Sequence, residues 1–327
     1  MTGRSLLLIG GSGFFGKSFL DAHRRGLLKP WSIDRIIVVA RSASSLLRDH
    51  PRLVGADVTL LDADAARAES LPSADFVVHA ASTTDARRYA EDPKAERANI
   101  LGASDNYARL AERVHRSSRI VFASSGAVYG QQPPHIPGLS EDFTPADAAT
   151  LVDYKRDYAE AKRLSEERIA DLGAEGLRTS IARCFAFVGY HLPRDQHFAI
   201  GNFMADGLAG RPVRLTARKA VYRSYMHADD LVHWLMTIAA AASEETPIYN
   251  VGSDEALTLT EVAGVVSRRF GVPVEAPPID DPAIDRYIPS IARARRELGL
   301  GLSLGLEAAV DEVAGRLEAE RRPSERA

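Results

Sequence analysis

Three side chains in this sequence have the types and spacing of a proton-transfer site. An apolar run at 119–123 ends in Ser124-Ser125-Gly-Ala-Val-Tyr-Gly130. Tyr158 follows 33 positions after Ser125, and Lys162 four after that, in Tyr158-Ala-Glu-Ala-Lys162. A Tyr and a Lys four apart share one face of a helix. A phenol with a pKa near 10 is a poor base at neutral pH, and a neighbouring ammonium lowers that pKa by stabilising the phenolate. A serine hydroxyl at a strand end can hold a substrate oxygen while the tyrosine gives or takes its proton. Singly, each piece has a plain structural reading: Tyr-x-x-x-Lys arises on helices by chance, and Ser-Ser after a strand is commonly a loop.

Such a triplet needs a scaffold. Short apolar runs at 5–9, 35–39, 58–61, 76–79, 119–123 and 179–184 read as strands, several apolar throughout, as buried parallel strands are. Helical stretches lie among them, at 17–25, 99–116 and 158–171. This alternation predicts an α/β fold, a Rossmann-type doubly wound parallel sheet. Beyond Phe185 the pattern loosens into short helices and prolines. A helix at 229–242 and a strand at 248–251 are expected to return to the first sheet. The expected organisation is a dinucleotide-binding domain of 1–185 plus about 223–252, and a smaller mixed substrate lobe of 186–222 plus 253–327. The cleft would lie between them.

The first strand runs into Gly10-Gly-Ser-Gly-Phe-Phe-Gly16, followed by Lys17-Ser18. Gly10, Gly13 and Gly16 have the spacing of a dinucleotide fingerprint, whose glycines allow a tight turn and close approach of a pyrophosphate. Gly11 to Ser18 also satisfies the P-loop pattern G-x-x-x-x-G-K-S, with Asp62 as a tolerable partner. A glycine turn with no ligand is the third reading. The Ser125, Tyr158, Lys162 constellation decides for the dinucleotide, because a nicotinamide supplies the hydride that such a proton-transfer site needs.

With these pieces in this order, the chain resembles the extended short-chain dehydrogenase/reductases of the nucleotide-sugar epimerase/dehydratase family over nearly its full length. The resemblance rests on the glycine loop, His79-Ala-Ala-Ser82, Asn99-Ile-Leu-Gly102 opening a helix, the Ser124–Gly130 and Tyr158–Lys162 motifs, Arg223-Ser-Tyr-Met-His-Ala-Asp-Asp-Leu231, and Arg293-Ala-Arg-Arg-Glu-Leu-Gly299. It implies that Gly10, Gly13, Phe14, Phe15 and Gly16 cradle the cofactor pyrophosphate. Asp62 and Ala63 would lie beside the adenine, and Ala80, Ala81 and Ser82 along the nicotinamide ribose. Asn99 would support the cleft, and Tyr158 and Lys162 would also touch the cofactor. Asn202, Phe203, Arg223, Arg286 and Tyr287, with Ser125, would contact the sugar nucleotide; surface charge for Arg223 and helix capping for Asn202 are the plainer readings. Members commonly dimerise through a four-helix arrangement, implying a homodimer here.

The departures from the family pattern are informative. An acidic residue after the second strand would bond the ribose 2′-hydroxyl of NAD, and none stands between Val38 and Leu47. Arg41 and Ser42, helped by Arg48, suit a 2′-phosphate, so NADP(H) is favoured and NAD(H) is the alternative. The Asp-Glu pair of the family's 4,6-dehydratases is replaced by Gly126 and Ala127, which argues against dehydration. Ala186 stands where many relatives carry an asparagine. The expected activity is NADPH-dependent reduction of a nucleotide-linked 4-keto-6-deoxyhexose, with Tyr158 as proton donor. The alternatives are a C4 epimerase holding NAD and a non-catalytic NADPH-binding regulator, the last of which predicts a damaged triplet.

Bulk properties agree with such a chain. It has 327 residues, 26% of them charged, and a net charge of −3, without the basic stripe expected of a nucleic-acid or membrane-surface binder. A lone cysteine, Cys184, allows no intrachain disulfide and sits in an apolar run as a small hydrophobe. The two histidines between Tyr190 and His197 lack the ligand spacing of a metal site, so none is expected, and His197 reads as a polar contact. The first apolar run is about four residues, too short for a signal peptide, so a cytoplasmic location is expected. The polar stretch 321–327 is expected to fray.

Overall fold

The computed structural model describes residues 3–82, 91–144, 151 and 153–321, so the expectation for the C-terminal stretch lies almost wholly outside the described residues. Strand β1 (Arg4–Ile9) enters helix α1 (Phe14–Arg24) through the glycine loop, followed by β2 (Ile33–Ala40), α2 (Ser45–Asp49), β3 (Val58–Asp62) and β4 (Phe76–His79). Helix α3 (Pro93–Val114), β5 (Arg119–Ser125), α4 (Asp153–Ala174) and β6 (Arg178–Cys184) continue the alternation. Next come β7 (Phe187–Val188), α5 (Ala199–Leu208), β8 (Val213–Arg214), β9 (Lys219–Arg223), β10 (Met226–His227), α6 (Ala228–Ala240) and β11 (Ile248–Val251). The chain ends with β12 (Leu257–Thr258), α7 (Leu259–Phe270), β13 (Val274–Glu275), β14 (Asp281–Tyr287), α8 (Ala292–Leu298) and α9 (Leu306–Arg321).

Seven parallel strands form the central sheet in the order β11-β6-β5-β4-β1-β2-β3. Side chains alternate across it and both faces are covered, which is why β4 and most of β1 are apolar. Leu6 and Leu8 face one layer with Phe19 of α1 and Trp234 of α6. Leu7 and Ile9 face the other with Tyr107 of α3 and Ile169 of α4. Strand order reverses between β1 and β4, and in open α/β sheets ligands bind at that switch point, beyond the carboxyl ends of the strands.

A second apolar core gathers Ile200 and Met204 of α5, Val262 and Val266 of α7, and Val310 and Val313 of α9. A three-stranded sheet, β12-β9-β14, stands beside it and carries Arg223 and Tyr287. Among the described residues no helix is long and apolar enough to cross a membrane.

The largest boundary differences from the sequence reading are the starts of two helices. Asn99 does not open a helix: it lies on the exposed side of α3, inside a helix that starts at Pro93. Asp92 caps that helix by accepting from the Ala95 N–H at 3.0 Å, with proline at the first turn. Helix α4 likewise begins at Asp153, upstream of Tyr158.

Candidate active site

Strand β5 delivers Ser125 to its carboxyl end, where the chain turns into a 3₁₀ helix over Gly126–Tyr129. The serine Oγ caps that turn, accepting from the Ala127 N–H at 3.2 Å. Helix α4 brings up Tyr158 and, one turn on, Lys162. The Tyr158 hydroxyl bonds to Ser125 and Ser82; burial pushes its pKa up, and these two hydrogen bonds work against that. Lys162 is buried, donates from Nζ to the Ala123 carbonyl at 2.9 Å, and lies 6.0 Å from the Tyr158 ring centroid. Burial pulls its pKa down to about 8, while Cys184 and Glu166 hold it up. One strand and one helix thus bring the serine, tyrosine and lysine to one place.

The glycine loop lies at the switch point between β1 and β4. Gly10 has φ +86°, and a Cβ there would stand 2.7 Å from the Ala80 carbonyl and the Ala81 backbone. A Cβ on Gly16 would stand 2.0 Å from the Gly11 carbonyl. Gly13 is the N-cap of helix α1, with no side-chain cap bond and no acidic residue in the first turn. Its first N–H groups and positive dipole end are therefore available to an anion. This cradle fits a dinucleotide pyrophosphate. The P-loop reading fails in the structure: Ser18 is buried and donates to the Phe14 carbonyl at 2.8 Å, within its own helix.

At the end of β2, Arg41 and Ser42 are exposed, and Arg41 has no hydrogen-bond or ion-pair partner among the described residues. Arg48 is paired with Asp49 at 2.7 Å. Asp62 accepts from the Ser44 N–H at 2.8 Å and the Ser44 hydroxyl at 2.5 Å, closing this loop. The Ala63 N–H donates to the Ala40 carbonyl at 3.0 Å.

The remaining sequence candidates are dispersed. Tyr287 reaches the centre, its hydroxyl 3.4 Å from Ser125 Oγ, while burial pushes its pKa up. Its neighbour Arg286 lies over the Tyr222 ring at 4.6 Å, with Nε buried and without a hydrogen-bond partner among the described residues. Arg223 is engaged by Asp285 through two bonds of 3.1 and 3.2 Å. A diphosphate approaching Arg223 would have to share it with that carboxylate. Asn202 donates to the Gln196 carbonyl at 2.7 Å, holding the preceding loop. Phe203 is buried in the second core. Asn99 is exposed on α3.

Sequence reasoning missed Glu166 and Arg183. They form a buried ion pair at 2.7 Å directly behind the triplet. The available signal was spacing: Glu166 falls one helical turn after Lys162 on the same face.

Residues 6–252 match the NAD dependent epimerase/dehydratase family. The chain is 26% identical over 301 residues to UDP-glucuronic acid decarboxylase 5 of Arabidopsis thaliana, covering 90% of this chain and 83% of that one. It superimposes on UDP-glucose 4-epimerase from Thermotoga maritima, in complex with UDP-glucose, with a TM-score of 0.80 at 18% identity, covering 97% of this chain and 100% of that one. A dTDP-glucose 4,6-dehydratase from Streptomyces venezuelae, with NAD bound, gives a TM-score of 0.80 at 20% identity, covering 97% and 98%. The fold and the match define an enzyme of the extended short-chain dehydrogenase/reductase type. The chain belongs to the NAD-dependent epimerase/dehydratase family.

Proposed function

We propose that this enzyme carries out redox chemistry at C4 of a nucleotide-linked sugar, with Tyr158 moving the proton. The observation that carries this reading is the meeting of Ser125, Tyr158 and Lys162 at the sheet end beside the glycine cradle. Gly10, Gly13, Phe14, Phe15 and Gly16 would hold the cofactor pyrophosphate, and Ala80, Ala81, Ser82 and Lys162 its nicotinamide side. The nicotinamide supplies or accepts the hydride. Ser125 orients the C4 oxygen, Tyr158 gives that oxygen its proton or takes it, and the Lys162 ammonium stabilises the phenolate. The lobe built on the second core would hold the sugar nucleotide, and the paired helices α3 and α4 would form a dimer face.

The finer reading is an NADPH-dependent 4-ketoreductase, supported by unpartnered Arg41 at the end of β2 and by the lack of an acidic residue there. Dehydration is disfavoured sterically as well as chemically. A Cβ on Gly126 would lie 2.6 Å from the Phe185 ring, so that position cannot carry a carboxylate in this packing. A second reading, C4 epimerisation or decarboxylation with retained NAD, is favoured by the named relatives. Loss of carbon dioxide from a hexuronic acid also proceeds through a 4-ketone, because a β-keto acid decarboxylates readily, so the same triplet would serve it.

One panel separates these readings. Purified enzyme is incubated with UDP-glucose, UDP-glucuronate and a dTDP-4-keto-6-deoxyhexose, each with NADPH or NAD. Oxidation of NADPH at 340 nm with the keto sugar is expected. Turnover only of UDP-glucose or UDP-glucuronate, with co-purified NAD, would replace the reductase by the second reading. Activity unchanged in Tyr158→Phe would overturn the catalytic assignment.

A further inference from the structure

We propose that Glu166 is a positioning residue, whose carboxylate ties the end of β5 to helix α4 and to β6 and so sets where Ser125 and Lys162 stand relative to Tyr158. This rests on the reading of the triplet given above. The geometry is specific. Ser124, the immediate neighbour of Ser125, donates its hydroxyl to Glu166 Oε1 at 2.5 Å. Arg183 of β6 donates from Nε to Oε1 at 3.0 Å and from Nη2 to Oε2 at 2.7 Å. Glu166, Arg183 and Ser124 are 7%, 9% and 4% exposed, so the network is sealed from water. Successive strand residues point to opposite faces. Pinning Ser124 on one face therefore fixes the backbone that presents Ser125 on the other.

The same carboxylate faces the lysine. Lys162 lies one turn before it on α4, with Tyr158 one turn earlier still. Around the ammonium stand His79 of β4 and Cys184 of β6, besides Tyr158 and Glu166 of its own helix. Glu166 is the carboxylate among these neighbours. Around Glu166 itself stand Arg183, Ser124 and Lys162, with the Tyr129 ring against the guanidinium at 4.8 Å. Glu141 reaches the same guanidinium through its backbone carbonyl at 3.4 Å.

The experiment uses the full chain with ¹³Cε-labelled lysine, of which there are six, and follows the Lys162 resonance against pH in wild type, Glu166→Gln and Ser124→Ala. Steady-state kcat is followed against pH in the same samples. Glu166→Gln is expected to lower the Lys162 midpoint, and to move the alkaline limb of kcat with it. Ser124→Ala, which keeps the Glu166–Arg183 pair, is expected to lower kcat about tenfold with cofactor KM within about twofold. An unmoved Lys162 midpoint in Glu166→Gln would overturn the proposal. Should Glu166→Gln not fold, an unchanged kcat in Ser124→Ala overturns it. If wild type turns over no nucleotide sugar, the catalytic reading fails, and the Lys162 titration still tests Glu166 by itself.

Discussion

The Tyr287 hydroxyl, carried by the strand β14, stands 3.4 Å from Ser125 Oγ and 3.4 Å from the Cys184 carbonyl. Its ring packs on Phe185 with centroids 4.7 Å apart. Burial pushes its pKa up, so it meets the site as a neutral phenol. A hydroxyl that shares Ser125 is placed to touch whatever Ser125 holds. Tyr287→Phe is therefore expected to lower kcat/KM for the sugar substrate by about two- to tenfold, the worth of one net hydrogen bond. Cofactor affinity should not change. Tyr287→Ala, which also loses the ring contact, should cost more. Steady-state kinetics on the three proteins checks this, and equal constants for Tyr287→Phe and wild type would remove Tyr287 from the site.

Arg41 offers a sharp test of cofactor choice. Its guanidinium is exposed and unpaired among the described residues, so removing it leaves no buried partner stranded. Arg41→Ala should lower kcat/KM for NADPH by about 10- to 100-fold, the range of a charge-assisted bond to phosphate. The value for NADH should stay within about twofold. Equal losses with both cofactors would assign Arg41 to the adenine instead.

Gly126 is required by packing. Phe185 sits between Tyr129, at 6.2 Å, and Tyr287, at 4.7 Å, and has no room to yield to a methyl 2.6 Å away. Gly126→Ala should destabilise the protein by about 1–3 kcal/mol, as overpacking does. Gly126→Ala combined with Phe185→Leu should recover much of that loss. Thermal melts of the two variants decide it; a melting temperature equal to wild type in the single variant would show that Phe185 can move.

Two buried groups give the pH dependence its sign. Lys162 is held to about 8, so activity is expected to fall as pH rises through about 8 and the ammonium is lost. His79 is buried against Tyr107 and Phe122, and burial lowers its pKa from 6.5 to about 4. Between those values the unfolded chain binds the proton and the native chain does not. Stability is therefore full above 6.5 and is lost as pH falls towards 4, by about 3 kcal/mol from this residue. Denaturant melts at pH 7 and pH 4.5 should show the loss, and His79→Phe should flatten it.

Much of this molecule is legible in one dimension. The strands β1, β2, β4 and β5 announce themselves because both sides of each are largely buried, so most of each run is apolar. The glycine loop is visible because its geometry excludes side chains at Gly10 and Gly16. The Tyr158–Lys162 pair is visible because a helix turns an interval of four into a shared face. Even the start of α3 is written locally, in the capping pair Asp92-Pro93.

What the chain alone could not decide depends on residues far apart in sequence. The inward turn of the Ser18 hydroxyl to the Phe14 carbonyl shows only in the folded helix. Arg223 reads as a free phosphate ligand until β9 and β14 pair and bring Asp285 to it. That Phe203 joins the second core shows only in the fold. Glu166 is an ordinary helix carboxylate until β6 places Arg183 at 2.7 Å, and Tyr287 is an expected substrate contact whose place beside Ser125 shows only when β14 brings it there. Periodicity and steric exclusion are local and show in sequence. Charge pairing and burial across 17 to 162 positions belong to the tertiary fold, because only the folded chain sets which groups share a low-dielectric space.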